Sequence, residues 1–295
     1  MRALVVFGLS LIVSASALVE VQNNYHETIG IPTAEKIWAT EQDILTKNAQ
    51  GSRIIGGELS PYERNAHFGA LLINLEGTSQ SSVCGSSLLT VSRILTAAHC
   101  WQDGMHQATQ FIVVLGTRFL YSGGERIGTR EVYVHPEYDV QFFTNDIAIG
   151  YLPRRATLRH GVQPIRLPRG YELESTFEGQ WAVAVGYGKT SDQQEHASLM
   201  VSEVSLQVIG HDDCASVFGS DFVKESTLCT NGTGGVGICD GDSGGPLAAR
   251  GSDRTNYLIG VSSFTVRGDC EGGHPSAFTR VTSYLSWISP QLIHK

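Results

Sequence analysis

Cys239-Asp240-Gly241-Asp242-Ser243-Gly244-Gly245-Pro246 sets a single serine among three glycines and two carboxylates. Glycine permits turns and close backbone approach that a Cβ would obstruct, so the stretch reads as a device for presenting the Ser243 hydroxyl. A serine hydroxyl is a weak nucleophile at neutral pH, and its use requires a base and a carboxylate to orient that base. Both types occur upstream. Thr96-Ala97-Ala98-His99-Cys100 offers a histidine at the end of an apolar strand, and Thr144-Asn145-Asp146-Ile147-Ala148 offers an aspartate at the mouth of another. Asp commonly caps a turn, but here Asp146 is expected to fix the tautomer of His99.

The chain has 295 residues, 41% of them hydrophobic, enough for one large all-β unit or two small lobes. Net charge is −8; residues 1–53 carry 5 acidic and 4 basic groups, leaving 24 acidic and 17 basic beyond them, or −7. An acidic balance of this size argues against nucleic acid as a partner. Arg2, the apolar run Ala3 to Val13 and the small residues Ala15-Ser16-Ala17 read as a secretory signal peptide over 1–17, too short for a membrane span. Secretion implies an oxidising compartment, in which the six cysteines, all beyond residue 80, are expected to pair. The residues alone leave the pairing open.

From Ile54 onward short apolar runs alternate with turn signals: Gly69 to Leu75, Ser92 to Ala97, Phe111 to Leu115, Glu131 to His135 and Ile147 to Leu152. The second half repeats the rhythm at Trp181 to Gly186, Val201 to Val208, Pro246 to Ala249, Tyr257 to Phe264 and Ala277 to Val281. This is an all-β pattern. Pro164 to Pro168 reads as the crossing between halves. A final helix is expected over Tyr284 to His294, although Pro290 interrupts it. Residues 18–53 are polar and without cysteine, and Ile37, Trp38, Ile44 and Leu45 are spaced as one face of a short helix.

Around Ser243, His99 and Asp146, and from Ile54 to the C-terminal tail, the chain resembles the chymotrypsin-like (trypsin-like) serine proteases. Within them it resembles secreted chymotrypsin-, elastase- and brachyurin-like members from invertebrates. The resemblance implies two six-stranded antiparallel β-barrels packed together, about 54–165 and 166–283, with a C-terminal helix. It implies His99, Asp146 and Ser243 as the catalytic set, the backbone N–H groups of Gly241 and Ser243 as the oxyanion hole, and the pairings Cys84 with Cys100, Cys214 with Cys229 and Cys239 with Cys270. Ser52-Arg53-Ile54-Ile55-Gly56-Gly57 resembles the family's activation junction, so 18–53 becomes a pro-segment. The new amino group of Ile54 would bury itself against Asp242, a carboxylate otherwise costly to leave without a partner. With no cysteine before Arg53 the released segment has no disulfide tether and is expected to diffuse away unless held noncovalently.

The resemblance also places the specificity pocket. Its floor falls at Gly237, where trypsin-like members carry an aspartate; its walls fall at Thr265 and Ser276. A pocket without a carboxylate and narrowed by a β-branched Thr265 is expected to take uncharged residues and reject arginine, although Asp240 near the rim could draw in a basic side chain. An enzyme so built depends on a separate trypsin-like protease for the Arg53-Ile54 cut. Ser262-Ser263-Phe264-Thr265 resembles the segment that pairs with extended substrate, Phe264 serving as an apolar wall. Gly116 is followed by Thr117 and Arg118 instead of carboxylates, so no calcium site is expected; no metal or organic cofactor is needed. Asn231-Gly232-Thr233 fits an N-glycosylation acceptor. The expected partners are protein or peptide substrates, the activating protease and protease inhibitors, for a secreted monomer with no membrane or nucleic-acid partner. Two rival functions are a catalytically inactive homologue serving as a binding or cofactor protein, and an esterase using the same chemistry on non-peptide acyl groups.

Overall fold

The computed structural model describes residues 24–49, 61–188 and 201–293. The expected signal peptide, the Arg53-Ile54 junction and the loop 189–200 lie outside them. In the first half, β1 (Phe68–Leu75), β2 (Ser81–Thr90), β3 (Arg93–Thr96), β4 (Ala108–Leu115), β5 (Glu125–Thr129), β6 (Val132–Val134) and β7 (Ala148–Tyr151) form one antiparallel sheet in the order β5-β4-β1-β2-β3-β7-β6. Only Arg130 and Glu131 separate β5 from β6, which pair with β4 and β7 respectively. One bent strand thus serves both edges of the sheet, which is why seven strands occupy the place of the six expected. In the second half, β8 (Trp181–Gly186), β9 (Ser202–Ile209), β10 (Thr227–Thr230), β11 (Pro246–Arg250), β12 (Asn256–Phe264) and β13 (Ser276–Arg280) close a six-stranded barrel.

Three strands escaped the sequence reading. β5 and β10 are short. β2 runs Ser81-Ser82-Val83-Cys84-Gly85-Ser86-Ser87 and reads as polar, yet Ser82, Ser86 and Ser87 are fully buried. Two of the three are bonded: the Ser86 hydroxyl donates to the Gly69 carbonyl at 2.8 Å and Ser82 Oγ lies 2.8 Å from His26 Nδ1, while the Ser87 hydroxyl has no partner among the described residues. Gly85 has a backbone reason, since a Cβ would stand 2.8 Å from Gly245 Cα and 3.0 Å from Gly245 N. This is where the barrels touch.

Four helices complete the fold: α1 (Ile31–Ala49), α2 (Pro61–Arg64), α3 (His211–Phe218) and α4 (Leu285–Ile293). α4 forms where expected, beginning one residue later because Val281–Tyr284 is a tight helical turn. Pro290 is tolerated because it faces solvent, so the carbonyl it leaves unbonded stays wet.

α1 differs from expectation in length and in facing. It runs for 19 residues, and Ala34, Ile37 and Glu41 are fully buried while Trp38 and Leu45 are 52% and 41% exposed. Of this i, i+3, i+7 stripe, Ala34 and Ile37 share one buried cluster with Phe68, Leu72, Val83 and Tyr187. Glu41 enters this apolar region by capping backbone, accepting from the amides of Leu120 and Tyr121. Ile31 and Ile37 each gain roughly 1.5–3 kcal/mol from burial. Among the described residues no helix is long and apolar enough to cross a membrane.

Gly85→Ala is expected to destabilise the protein by about 1–3 kcal/mol, because the new methyl meets backbone that cannot rotate away. For a chain of this size that is a drop of roughly 3–10 °C in Tm, measurable by scanning calorimetry. An unchanged Tm would show that the seam between the barrels is loose.

Candidate active site

His99 sits in the tight turn Ala98–Cys100 that follows β3, and a Cys84–Cys100 disulfide ties this turn to β2. The other two bridges join Cys214 to Cys229 and Cys239 to Cys270. Asp146 precedes β7, which pairs with β3, so the two residues emerge side by side from neighbouring strands. His99 Nδ1 lies 2.8 Å from Asp146 Oδ2, and the His99 amide donates to Asp146 Oδ1 at 2.9 Å. Both side chains are buried.

The second barrel completes Asp146. The β12–β13 register shifts between Ser262 and Phe264, and this bulge turns Ser263 so that its hydroxyl donates to Asp146 Oδ2 at 2.5 Å. Thr279 on β13 donates to the Asp146 carbonyl at 2.7 Å. Three donors thus converge on the Asp146 carboxylate and fix its orientation.

Ser243 arrives from across the seam. Gly241 and Gly244 have φ of +103° and +77°, values that L side chains rarely adopt. Gly244 also has no room for a side chain, since a Cβ would meet Thr96 Oγ1 at 2.3 Å and the Gly85 carbonyl at 2.6 Å. The Gly85 amide donates to the Ser243 carbonyl at 2.7 Å, and the Gly244 amide to Ser262 at 2.8 Å. The nucleophile segment is therefore pinned to β2 on one side and β12 on the other.

The family profile for Trypsin matches residues 54–288. The chain belongs to the trypsin family. It is 37% identical over 205 residues to a collagenase of Hypoderma lineatum, a match spanning 70% of this chain and 74% of that protein. It is 35% identical over 243 residues to the brachyurin of Leptuca pugilator, covering 81% of this chain and 98% of that one. The solved structure of HL collagenase superposes with a TM-score of 0.71 at 34% identity, over 82% of this chain and all of that one. The chain is a serine endopeptidase by this kinship, with the two-barrel fold of its relatives.

In this trypsin-family chain the expected residues do not all meet. Among the described residues His99 Nε2 has no hydrogen-bond partner. Tyr25 instead lines one small cavity with Ser243 and His99, and its ring packs edge-on against His99 with centroids 4.8 Å apart. Burial pushes the Tyr25 phenol far up, so it stays neutral. Sequence reading missed Tyr25, and no local signal marks it.

Asp242 accepts from the amides of Cys239 at 3.0 Å and Gly188 at 2.7 Å, and it pairs with no cation among the described residues. Gly186 and Gly188 make room, since a Cβ on either would stand 2.0 and 2.1 Å from its carboxylate oxygens. The carboxylate lines a cavity of about 200 Å³ with Ala184, Ser202, Val204 and Gly237. Burial pushes its pKa up to about 6, against the pull of its two amides.

Gly237 and Ser276 are neighbours, a Cβ on Gly237 falling 2.7 Å from Ser276 Oγ, and that hydroxyl accepts from the Ile238 amide at 3.0 Å. Thr265 lies apart from them, in a cavity of about 40 Å³ beside Ser243 that Ile238, Asp240, Phe264 and Arg267 also line. Phe143, unmarked in the sequence reading, holds φ +53° and packs on both His99 and Phe264 at 5.8 Å. Asn231 follows β10 and its side chain accepts from the Thr233 amide at 2.8 Å, leaving the Thr exposed. Among the described residues the cluster with metal-like spacing is Cys84, Cys100 and His99, and its cysteines have no thiolate to offer because they are bonded to each other.

An aspartate with a raised folded-state pKa adds stability below its ordinary value, near 4, and loses that contribution as pH rises through about 6. The uncleaved chain is thus expected to lose Tm between pH 4 and 6.5 on account of Asp242, and Asp242→Asn to flatten that part of the profile. Parallel profiles for the two proteins would show that this carboxylate is already satisfied.

Proposed function

We propose that the chain is a secreted serine endopeptidase made as a zymogen, with 1–17 a signal peptide, 18–53 a pro-segment and 54–295 the protease domain. The observation that carries this is the buried His99-Asp146 pair at 2.8 Å facing the Ser243 segment across the barrel seam. In the activated enzyme His99 Nε2 takes the Ser243 proton as Oγ attacks the scissile carbonyl, and the carbonyl oxygen becomes an oxyanion. The amides of Gly241 and Ser243 receive that charge, each such donor being worth about 3–4 kcal/mol. Collapse expels the amine, which takes its proton from His99, and leaves an acyl-enzyme. Water then enters, loses its proton to His99 and releases the acid, restoring Ser243.

Activation follows from Asp242. A cut after Arg53 frees the ammonium of Ile54, and the cavity beside Asp242 has room for it. That ion pair restores the carboxylate's charge and orders the neighbouring amides. Gly237 brings no carboxylate to the pocket, which favours uncharged residues before the scissile bond. A separate trypsin-like protease then makes the activating cut. The apolar run after Arg2 and the three disulfides suit secretion. The enzyme acts as a monomer, is a target for protease inhibitors, and carries a glycan acceptor at Asn231. An inactive homologue would have lost a member of the His99, Asp146 and Ser243 set, and all three are in place.

Ser243→Ala is expected to lower turnover of the activated enzyme roughly 10⁶-fold, His99→Ala about as much, and the double variant little more. Losses that multiply would mean that the two residues act separately.

The purified zymogen incubated alone should keep its Arg53-Ile54 bond, and catalytic trypsin should cut it promptly. N-terminal sequencing reads the outcome, and rapid self-cleavage after Arg53 would show that the pocket accepts arginine.

A further inference from the structure

We infer that the segment from Tyr25 to Glu41 is a built-in inhibitor whose docking surface on the protease domain outlives the activating cut, so that the severed pro-segment stays bound and keeps the cleft closed until it dissociates. This rests on the activation reading above. It takes up the alternative left open above, that the released segment is held noncovalently.

Every part of the machinery is covered. Tyr25 shares a small cavity with Ser243 and packs on His99. A Cβ on Gly241 would lie 3.1 Å from Thr33 Cγ2, so the Thr33 methyl packs beside Gly241 in the proposed oxyanion segment. Ile29 and Tyr25 line the small cavity beside Ser243 that holds Thr265. On β2, Ser81 to Gly85 pairs with β1 on one side, while β3 begins its pairing only at Ser87. The free edge is occupied: the Tyr25 hydroxyl donates to the Val83 carbonyl at 2.7 Å and His26 Nδ1 lies 2.8 Å from Ser82 Oγ. Gly30 fits the same edge, since a Cβ there would stand 1.9 Å from Ser82 Oγ.

None of these contacts depends on the chain between Ala49 and the domain. The segment is anchored at both ends through buried carboxyl groups that accept backbone amides. The buried Asp103 carboxylate accepts from the His26 amide at 2.7 Å, while the Met105 and His106 amides occupy its other oxygen at 3.0 and 2.7 Å. At the far end Glu41 caps the amides of Leu120 and Tyr121, and the Tyr121 hydroxyl donates to the Ala34 carbonyl at 3.0 Å. Between the anchors Ile37 is fully buried in a cluster shared with Phe68 and Tyr187. Cutting at Arg53 leaves all of this intact, and only the loss of the tether's effective concentration favours release.

The full chain is cut with an arginine-specific endopeptidase, which spares the segment because Arg2 and Arg53 are the only arginines before Ile54. Labelling of Ser243 by a fluorescent fluorophosphonate is then timed at micromolar and nanomolar protein. Fully cut wild type should label slowly at the higher concentration and faster on dilution. Cut Ile37→Asp protein should label roughly 10²-fold faster than wild type at micromolar protein, and synthetic peptide 24–49 should slow it again. Tyr25→Ala serves if Ile37→Asp fails to fold. Equal labelling rates for cut wild type and variant at every concentration overturn the inference. If neither labels, the acyl-enzyme reading fails, and the sizing column decides the docking surface: co-elution of the cut segment with the domain upholds it, separation at micromolar protein overturns it.

Discussion

The contact on which this structure depends is the amide of Gly85 donating to the carbonyl of Ser243 at 2.7 Å. His99 and Asp146 belong to one barrel and Ser243 to the other, so the spacing of base and nucleophile is set by how the barrels meet. A seam of side chains would leave that spacing to rotamers. Here it is backbone on backbone: Gly85 lies against Gly245, Gly244 lies against the Gly85 carbonyl, and the Thr96 hydroxyl donates to that same carbonyl at 2.8 Å. The Cys84–Cys100 bridge then links the strand that holds Ser243 to the turn that holds His99. Position is fixed before any substrate arrives.

Three buried carboxylates show how much of the site is finished. Asp146 is fully satisfied, with His99 supplying two donors and Ser263 a third. Asp103 is satisfied as well, by three backbone amides, one of them from the N-terminal segment. Asp242 has two amides and no cation among the described residues, and burial holds its pKa near 6. The His99-Asp146 half of the proposed site is therefore held firmly, while the Ser243 half keeps an unmet electrostatic demand at Asp242. A demand of that kind makes a switch, because one new positive charge changes the energy of the local backbone by an amount that packing alone would not.

Much of this was legible in the sequence, for a physical reason in each case. The glycines around Ser243 signal a backbone constraint whatever their neighbours, and the period-two strands signal half-buried sheet. Ten of the thirteen strands could be read that way. β2 could not, because its serines are polar by type and buried by context. The facing of α1 was misread for the converse reason. Trp38 and Leu45 are apolar by type, but Ala34, Ile37 and Glu41 take the inner stripe, Glu41 being admitted by the backbone amides it caps. Tyr25 and Phe143 reach the site only through tertiary packing, and no spacing rule connects them to His99.

The N-terminal segment sits on the catalytic groups without offering them a bond to break. A peptide substrate of such an enzyme lies extended and pairs with an edge strand, which exposes its carbonyls to attack. The segment meets the cleft as a helical turn, His26–Gly30, running directly into α1. Within a helix each carbonyl accepts an amide from a later turn, so it is turned along the axis and away from the nucleophile. What shares the small cavity with Ser243 is a phenol, which has no leaving group. What packs beside Gly241 is the methyl group of Thr33, which brings no oxygen to accept from an amide. The same helical geometry that lets Ile37 bury itself in the groove therefore protects the segment from the enzyme it covers, and its removal has to come from dissociation or from another protease.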